Sequence, residues 1–234
     1  MKGEEWYQAD DVAESYEDKR FSMGGQLIDR REKEAVLEAL GDVRDRDVLE
    51  IACGTGRFTV MVAKRGANAV GLDISAPMLR QGTEKARATD SPGHLEFVRG
   101  DAERLPFPDD HFDSVFAVRF FHLADTPALF LAEMRRVSRE QVVFDTFNRF
   151  STRSLYNWAL PMGSRLYSGR EVDRLLSDVG LELANAEHDW LVPYGFYRKV
   201  PNGMASAVRC VDSALGGSAV GRRLASVSYW DARL

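Results

Sequence analysis

No stretch of these 234 residues approaches the roughly 20 consecutive apolar positions that a membrane-spanning helix needs. The N-terminal Met-Lys-Gly-Glu-Glu has no apolar core of the kind a secretory signal carries, so a cytoplasmic site is the expectation. Cysteine is scarce: Cys53 and Cys210 are too few for a disulfide framework or a zinc cluster, and both are expected to be reduced and structural. A basic excess is missing too. The formal charge of −5 runs against a nucleic-acid backbone as partner. Charge is spread unevenly, however: beyond residue 190 stand Arg198, Lys199, Arg209, Arg222, Arg223 and Arg233 against Asp212 and Asp231. There is no internal repeat and no low-complexity segment. What is present is 44% apolar residues, enough for one substantial core with a cap or lid.

Apolar runs and helical periodicities alternate along the chain, which predicts a Rossmann-like α/β fold. The expectation is a seven-stranded, mostly parallel sheet with helices on both faces. Strands are predicted at Asp47–Ala52, Asn68–Leu72, Leu95–Arg99, Phe112–Val118, Gln141–Phe144, Leu181–Trp190 and Ala225–Trp230. Residues 4–20, with Trp6, Tyr7 and Tyr16, and a second helical stretch ending at Gly41 form an expected N-terminal helical lid, 1–44. Ser75 should cap a helix running to about Ala88, Thr126 should cap one with Pro127 in its first turn, and Gly180 should end one over Arg170–Val179. Met204, Val208, Val211 and Leu215 recur at helical spacing, placing an amphipathic helix in an insertion over about 191–224, before the last strand. The whole reads as a single domain, with a cofactor half over 45–147 and a substrate-side half over 148–234.

Residues 48–56 read Val-Leu-Glu-Ile-Ala-Cys-Gly-Thr-Gly, and seventeen residues after Gly56 Asp73 closes the next apolar run. A glycine turn after a buried strand lets backbone approach a ligand, and the helix that follows offers unpaired N–H groups to an anion. An acid at the tip of the next strand can accept from ribose hydroxyls. The spacing disfavours NAD. In the dinucleotide fingerprint GxGxxG, the third glycine would fall on Arg57 or on Thr59, depending on the register.

The run Glu50, Ala52, Gly54, Gly56 resembles the first motif of the class I S-adenosylmethionine (SAM) dependent methyltransferases, with Ala52 in place of the first glycine. Gly-Leu-Asp-Ile-Ser at 71–75 resembles the second motif. Gly-Asp-Ala-Glu-Arg-Leu-Pro-Phe-Pro at 100–108, followed by His111-Phe112-Asp113, resembles the third and fourth motifs of the subgroup containing the ubiquinone and menaquinone biosynthesis enzymes. The match runs over roughly residues 10–147. Arg-Val-Ser-Arg-Glu at 136–140 departs from the family's Pro-Gly-Gly turn. The resemblance implies SAM as cofactor and S-adenosylhomocysteine as product. It implies Asp73 on the ribose, Asp101 on the adenine amino group and the Ala102 N–H on the ring. Cys53, Ile74, Met78, Glu103 and Val118, flanking these motifs, complete the implied cofactor set with Glu50, Ala52, Gly54 and Gly56. Glu50 either organises the glycine loop or meets the methionine amino group. Arg57 either pairs with the cofactor carboxylate or is a solvated helix-start residue. Tyr16 either closes over the cofactor or is ordinary lid packing. Cys53 reads as a small residue filling a tight turn.

A sulfonium methyl is already activated, so such a site must chiefly align the acceptor and exclude water. If a base is needed, it belongs at the mouth of strand four, where Arg119, Phe120, Phe121 and His122 stand. His122 is the candidate base and Arg119 the candidate partner for an acidic acceptor, against the plainer reading of His122 as a helix cap. The Asn/Asp-Pro-Pro-Tyr/Phe signature of amino-group methylation is absent. Arg119 stands where a metal-dependent catechol enzyme needs a carboxylate, so no metal is expected despite Asp145 and Asn148. The acceptor is then a small molecule or lipid-like. The aromatic tail Trp190, Tyr194, Phe196 and Tyr197, with the helix after it and Arg209, Arg222 and Arg223, is a candidate lid or peripheral membrane contact, weighed against a solvated domain face. A non-catalytic SAM-binding scaffold and an NAD-dependent oxidoreductase are the competing readings.

Overall fold

The computed structural model describes residues 25–157 and 163–234, apart from the side chain of Asn202. Tyr16 and residues 4–20 of the expected lid lie outside the described residues. Helix α1 (Gly25–Leu40) leads to β1 (Asp47–Ile51), α2 (Arg57–Ala63), β2 (Asn68–Asp73), α3 (Ala76–Arg87), β3 (Leu95–Arg99) and β4 (Phe112–Ala117). Then come α4 (Pro127–Val137), β5 (Ser138–Asn148), β6 (Leu166–Tyr167), α5 (Gly169–Asp178), β7 (Glu182–Asp189), α6 (Tyr194–Tyr197), α7 (Asn202–Gly216), α8 (Ala219–Leu224) and β8 (Val227–Arg233).

The sheet order is β3-β2-β1-β4-β5-β8-β7, with β6 beside the end of β5. β8 runs antiparallel to both of its neighbours and the other pairings are parallel. The chain steps outward from β1 to β3 and returns on the other side of β1 at β4, so the C-terminal ends of β1 and β4 form the switch point where open α/β sheets bind ligands. Alternation along the strands builds two cores. Leu49, Ile51, Val115, Ala117, Val142 and Phe144 face α4 and α5. Val48, Phe116 and Val143 face α1 and α2 on the other side. A third cluster joins α1 to the tail through Ile28, Ala35, Phe147, Trp190, Tyr194, Tyr197 and Tyr229.

Among the described residues, eight strands stand against the expected seven. The addition is β6, two residues long, which no apolar run announces; it is fixed by pairing with Phe147 and Asn148 and by the Tyr167 hydroxyl donating to the Phe121 carbonyl at 2.9 Å. β5 is also longer than its apolar run at both ends. Asp145 and Thr146 read as loop residues, but here both side chains are partnered: Asp145 accepts the Arg119 N–H and the Thr146 hydroxyl accepts from the Trp230 indole at 2.8 Å. These hydrogen bonds offset part of the cost of burying the two polar side chains in a strand.

Candidate functional site

The turn after β1 is built from left-handed backbone. Gly54 and Gly56 have φ of +56° and +71°, and Ala52, in the position of the missing glycine, has φ +54°. Its methyl group therefore sits in a conformation that costs an L-residue about 1 kcal/mol. Gly56 is required twice over, because a Cβ there would come 2.3 Å from the Phe97 ring. A Cβ on Gly54 would meet no protein atom within 4 Å, so that side of the turn is open.

Two acids hold the turn, Glu50 buried and Asp73 half-buried. Helix α2 starts at Gly56 with no side-chain cap, and Glu50 supplies one from the strand: its carboxylate accepts the Thr59 N–H at 2.6 Å and the Thr59 hydroxyl as well. Of the two readings open for Glu50, the observed contacts are those of a loop organiser. Burial pushes its pKa up to about 7, against the lowering effect of the Thr59 bonds and of Arg57. Asp73, at the tip of β2, accepts from the Gly54 N–H and the Ser75 N–H, both at 2.8 Å. Burial raises its pKa, opposed by those same N–H groups. The N–H groups of Ser75, Gly54 and Ile74 all bear on the carboxylate, which with about four acceptor positions keeps capacity beyond them.

The ends of β1 to β4 border an open pocket of about 110 Å³ lined by Ala52, Leu72, Asp73, Ile74, Gly100, Asp101, Ala102, Glu103, Phe120 and Phe130. Six residues singled out from the sequence meet here: Ala52, Asp73, Ile74, Asp101, Ala102 and Glu103. Asp101 spends one oxygen on the Glu103 N–H at 2.9 Å, and Glu103 accepts from the Thr126 hydroxyl at 2.7 Å. Thr126 therefore does not cap α4 through its side chain. Sequence reasoning left out Leu72, Gly100 and Phe130 and left Phe120 undecided. Phe120 and Phe130 meet edge to face with centroids 4.8 Å apart, forming the aromatic wall. Phe130 looked like part of α4's buried stripe, and only the fold shows that its ring also faces a pocket.

Glu50, Cys53, Gly54 and Gly56 shape the turn and do not line this pocket. Met78 is buried on α3 with its N–H on the Ser75 hydroxyl at 3.4 Å, and Val118 is buried on the α1–α2 side of the sheet. The buried Cys53 thiol has a pKa pushed up by desolvation, then by Glu50 and Asp73, as suits an unreactive packing residue.

A second cluster lies beyond β4. Arg119 has φ +63°, a conformation held by its N–H on Asp145 at 2.5 Å. Burial lifts Asp145 to about pKa 6 against the charge of Arg119. The Arg119 guanidinium lies 3.4 Å from Glu32 and over the rings of Phe147 and Tyr194, at 4.9 and 4.6 Å. Arg153 covers Phe147 at 3.7 Å, and its pKa is lowered to about 10 by burial and then by Arg119. The His122 ring stands 4.8 Å from Phe147 as well, in a single 3-10 turn whose carbonyl accepts from the Arg165 N–H. Thus Arg119 and His122 share one aromatic ring with Arg153, which sequence reasoning missed because its segment shows no motif.

Two expectations are corrected. Arg57 neither awaits a cofactor carboxylate nor points to solvent; it is half-buried and bonded to Asp29 and to Glu32, the latter at 2.6 Å. In the tail, Trp190, Tyr194 and Tyr197 are buried against one another and α1, and Arg209 clasps both oxygens of Asp189 at 2.6 and 2.7 Å. These residues form a core, and Arg209 is spent within it. Among the described residues, no group of His, Cys, Asp or Glu could hold a metal ion, and no helix is long and apolar enough to cross a membrane.

Residues 49–144 match the family described as methyltransferase domain. The chain is 38% identical over 132 residues to a demethylmenaquinone methyltransferase of Renibacterium salmoninarum, covering 56% of this chain and 52% of that protein. It is 35% identical over 147 residues to a fatty-acid O-methyltransferase of Mycolicibacterium smegmatis, covering 62% and 47%. The chain spans about half the length of these curated relatives. The fold resembles that of a magnesium protoporphyrin IX methyltransferase from Synechocystis solved with bound S-adenosylhomocysteine, with a TM-score of 0.64 and 15% identity over 90% of this chain and 83% of that one.

Proposed function

We propose that this chain is a class I SAM-dependent methyltransferase that moves a methyl group from SAM to a small-molecule or lipid-like acceptor. The observation that carries this reading is the joining of Asp73 to the Gly54 N–H at the rim of a pocket that also holds Asp101 and Ala102. When bound, SAM supplies a methyl group already activated by its sulfonium. The turn at Glu50, Ala52, Cys53, Gly54 and Gly56 would hold its methionine end, and the remaining acceptor sites of Asp73 its ribose hydroxyls. Asp101, the Ala102 N–H, Glu103 and Ile74 would hold the adenine, with Phe120 and Phe130 as apolar wall. Met78 and Val118 act from behind, as packing under that surface.

The acceptor side is the ring of Phe147 with Arg119, His122 and Arg153. In this reading Arg119 and Arg153 orient an acidic acceptor, and His122 takes a proton where the acceptor must lose one. Residues 45–147 serve as the cofactor half and 148–234 as the acceptor half. The relatives named for menaquinone and fatty-acid methylation favour an apolar acceptor for this chain too. The test is transfer of labelled methyl from SAM to fractionated lipids and small organic acids. The reading requires label in a lipid or small-acid fraction; label confined to protein or nucleic acid, or no transfer at all, contradicts it.

A further inference from the structure

Helix α7 has its charges turned inward. The two charged side chains of Asn202–Gly216, Arg209 and Asp212, both face the protein. Arg209 clasps Asp189 and lies over the Trp190 ring at 4.3 Å. Asp212, buried, accepts from the Leu191 N–H at 2.8 Å and the Tyr197 hydroxyl at 2.6 Å. Of the apolar stripe read from the sequence, Val208 packs on the core and the other three side chains lie outside. Met204, Val211 and Leu215 are 54%, 61% and 57% exposed, and the outward side chains near them, Ala207, Cys210 and Ala214, carry no charge. Val220 and Leu224 on α8 continue the exposed apolar character. A monomeric domain rarely leaves such a patch bare, so the stripe calls for an occupant.

The charges around the stripe say which. Lys199, Arg222 and Arg223 are exposed, while both acids beyond residue 190, Asp212 and Asp231, are buried. An apolar stripe beside exposed cations, with no exposed acid from residue 191 to 224, complements an anionic lipid surface. It suits a second copy of this chain poorly, because a two-fold contact would bring the same cations onto themselves. We propose that the outer face of α7 and α8 docks on anionic phospholipid, with Met204, Val211 and Leu215 entering the headgroup boundary and Lys199, Arg222 and Arg223 meeting lipid phosphates. This docking does not depend on the methyl-transfer reading. If both hold, the enzyme meets a lipid-soluble acceptor where that acceptor is dissolved.

The test is flotation of the full chain with phosphatidylcholine vesicles, with and without phosphatidylglycerol, at low and high salt. Binding is expected to the anionic vesicles alone and to weaken with salt. Arg222→Gln with Arg223→Gln should weaken it about 30-fold, at about 1 kcal/mol for each basic side chain. Val211→Ser with Leu215→Ser should abolish it while leaving the circular dichroism spectrum and thermal midpoint unchanged, since both side chains are exposed. No flotation with anionic vesicles, or wild-type flotation by the Val211→Ser, Leu215→Ser protein, overturns the proposal. So does a dimer in sedimentation that the same pair of changes dissolves, since that assigns the face to self-association.

Discussion

The Asp73 carboxylate accepts the Gly54 N–H at 2.8 Å, tying the tip of β2 to the turn that follows β1. One side chain thus fixes the turn against the strand tip and still has acceptor capacity for a ligand. Turn geometry and the proposed ribose recognition are coupled through it. Changes in this turn should be read in both stability and affinity.

Ala52→Gly separates the two. The left-handed backbone at Ala52 is strained by its Cβ, and glycine removes that strain at some cost in unfolded-state entropy. The strain of about 1 kcal/mol less an entropy cost of about 0.4–1 kcal/mol leaves a gain of at most about 0.5 kcal/mol in urea denaturation, with affinity for S-adenosylhomocysteine within about twofold. A loss of stability would show that the methyl group makes packing contacts worth more than the strain.

Glu50 gives the fold a pH dependence of defined sign. Its pKa rises from 4.5 to about 7 on folding, so between those values the folded chain holds a proton that the unfolded chain has released. Stability from this group is greatest below about pH 4.5, falls as pH rises through 7, and is level above. Glu50→Gln keeps an acceptor for Thr59 and removes the charge. It should change the midpoint little at pH 5 and stabilise at pH 8 by up to ~3 kcal/mol, at about 1.4 kcal/mol per pH unit between the two pKa values. Thermal melts of both proteins at the two pH values check this.

Much of this was legible in the residues. Strand β3 stands at Leu95–Arg99 as its apolar run indicates, Ser75 caps α3 and Gly180 follows α5, because turn and cap chemistry act locally. The pocket residues contributed by the loops after β1, β2 and β3 followed from motif and order. What was hidden depended on distant partners. The periodicity of Met204, Val208, Val211 and Leu215 marks a helix, but the buried side was decided by Arg209 finding Asp189 and Asp212 finding Tyr197. Arg57 looked free for a ligand until α1 supplied Asp29 and Glu32. Arg153 joined the site only through the packing of Phe147.

Arg153 and His122 should separate binding from chemistry on the acceptor side. Arg153→Gln removes a half-buried cation from the ring of Phe147 and should raise KM for an acidic acceptor about tenfold or more, with kcat little changed. His122→Ala should lower kcat by about 100-fold where the acceptor must lose a proton, the lower end for general-base catalysis. Neither should alter the affinity for S-adenosylhomocysteine. Steady-state kinetics with the acceptor found in the labelled-methyl screen, beside calorimetry, check both.

The central claim is that the turn at 52–56 and Asp73 form a SAM site, and calorimetric titration tests it most directly. The full chain and Asp73→Ala are each titrated with S-adenosylhomocysteine and with NAD. The account predicts one S-adenosylhomocysteine site per chain, no measurable NAD binding, and about a 10- to 100-fold loss of affinity in Asp73→Ala, the worth of hydrogen bonds to a charged group. Preference for NAD, or undiminished S-adenosylhomocysteine affinity without the Asp73 carboxylate, would contradict it.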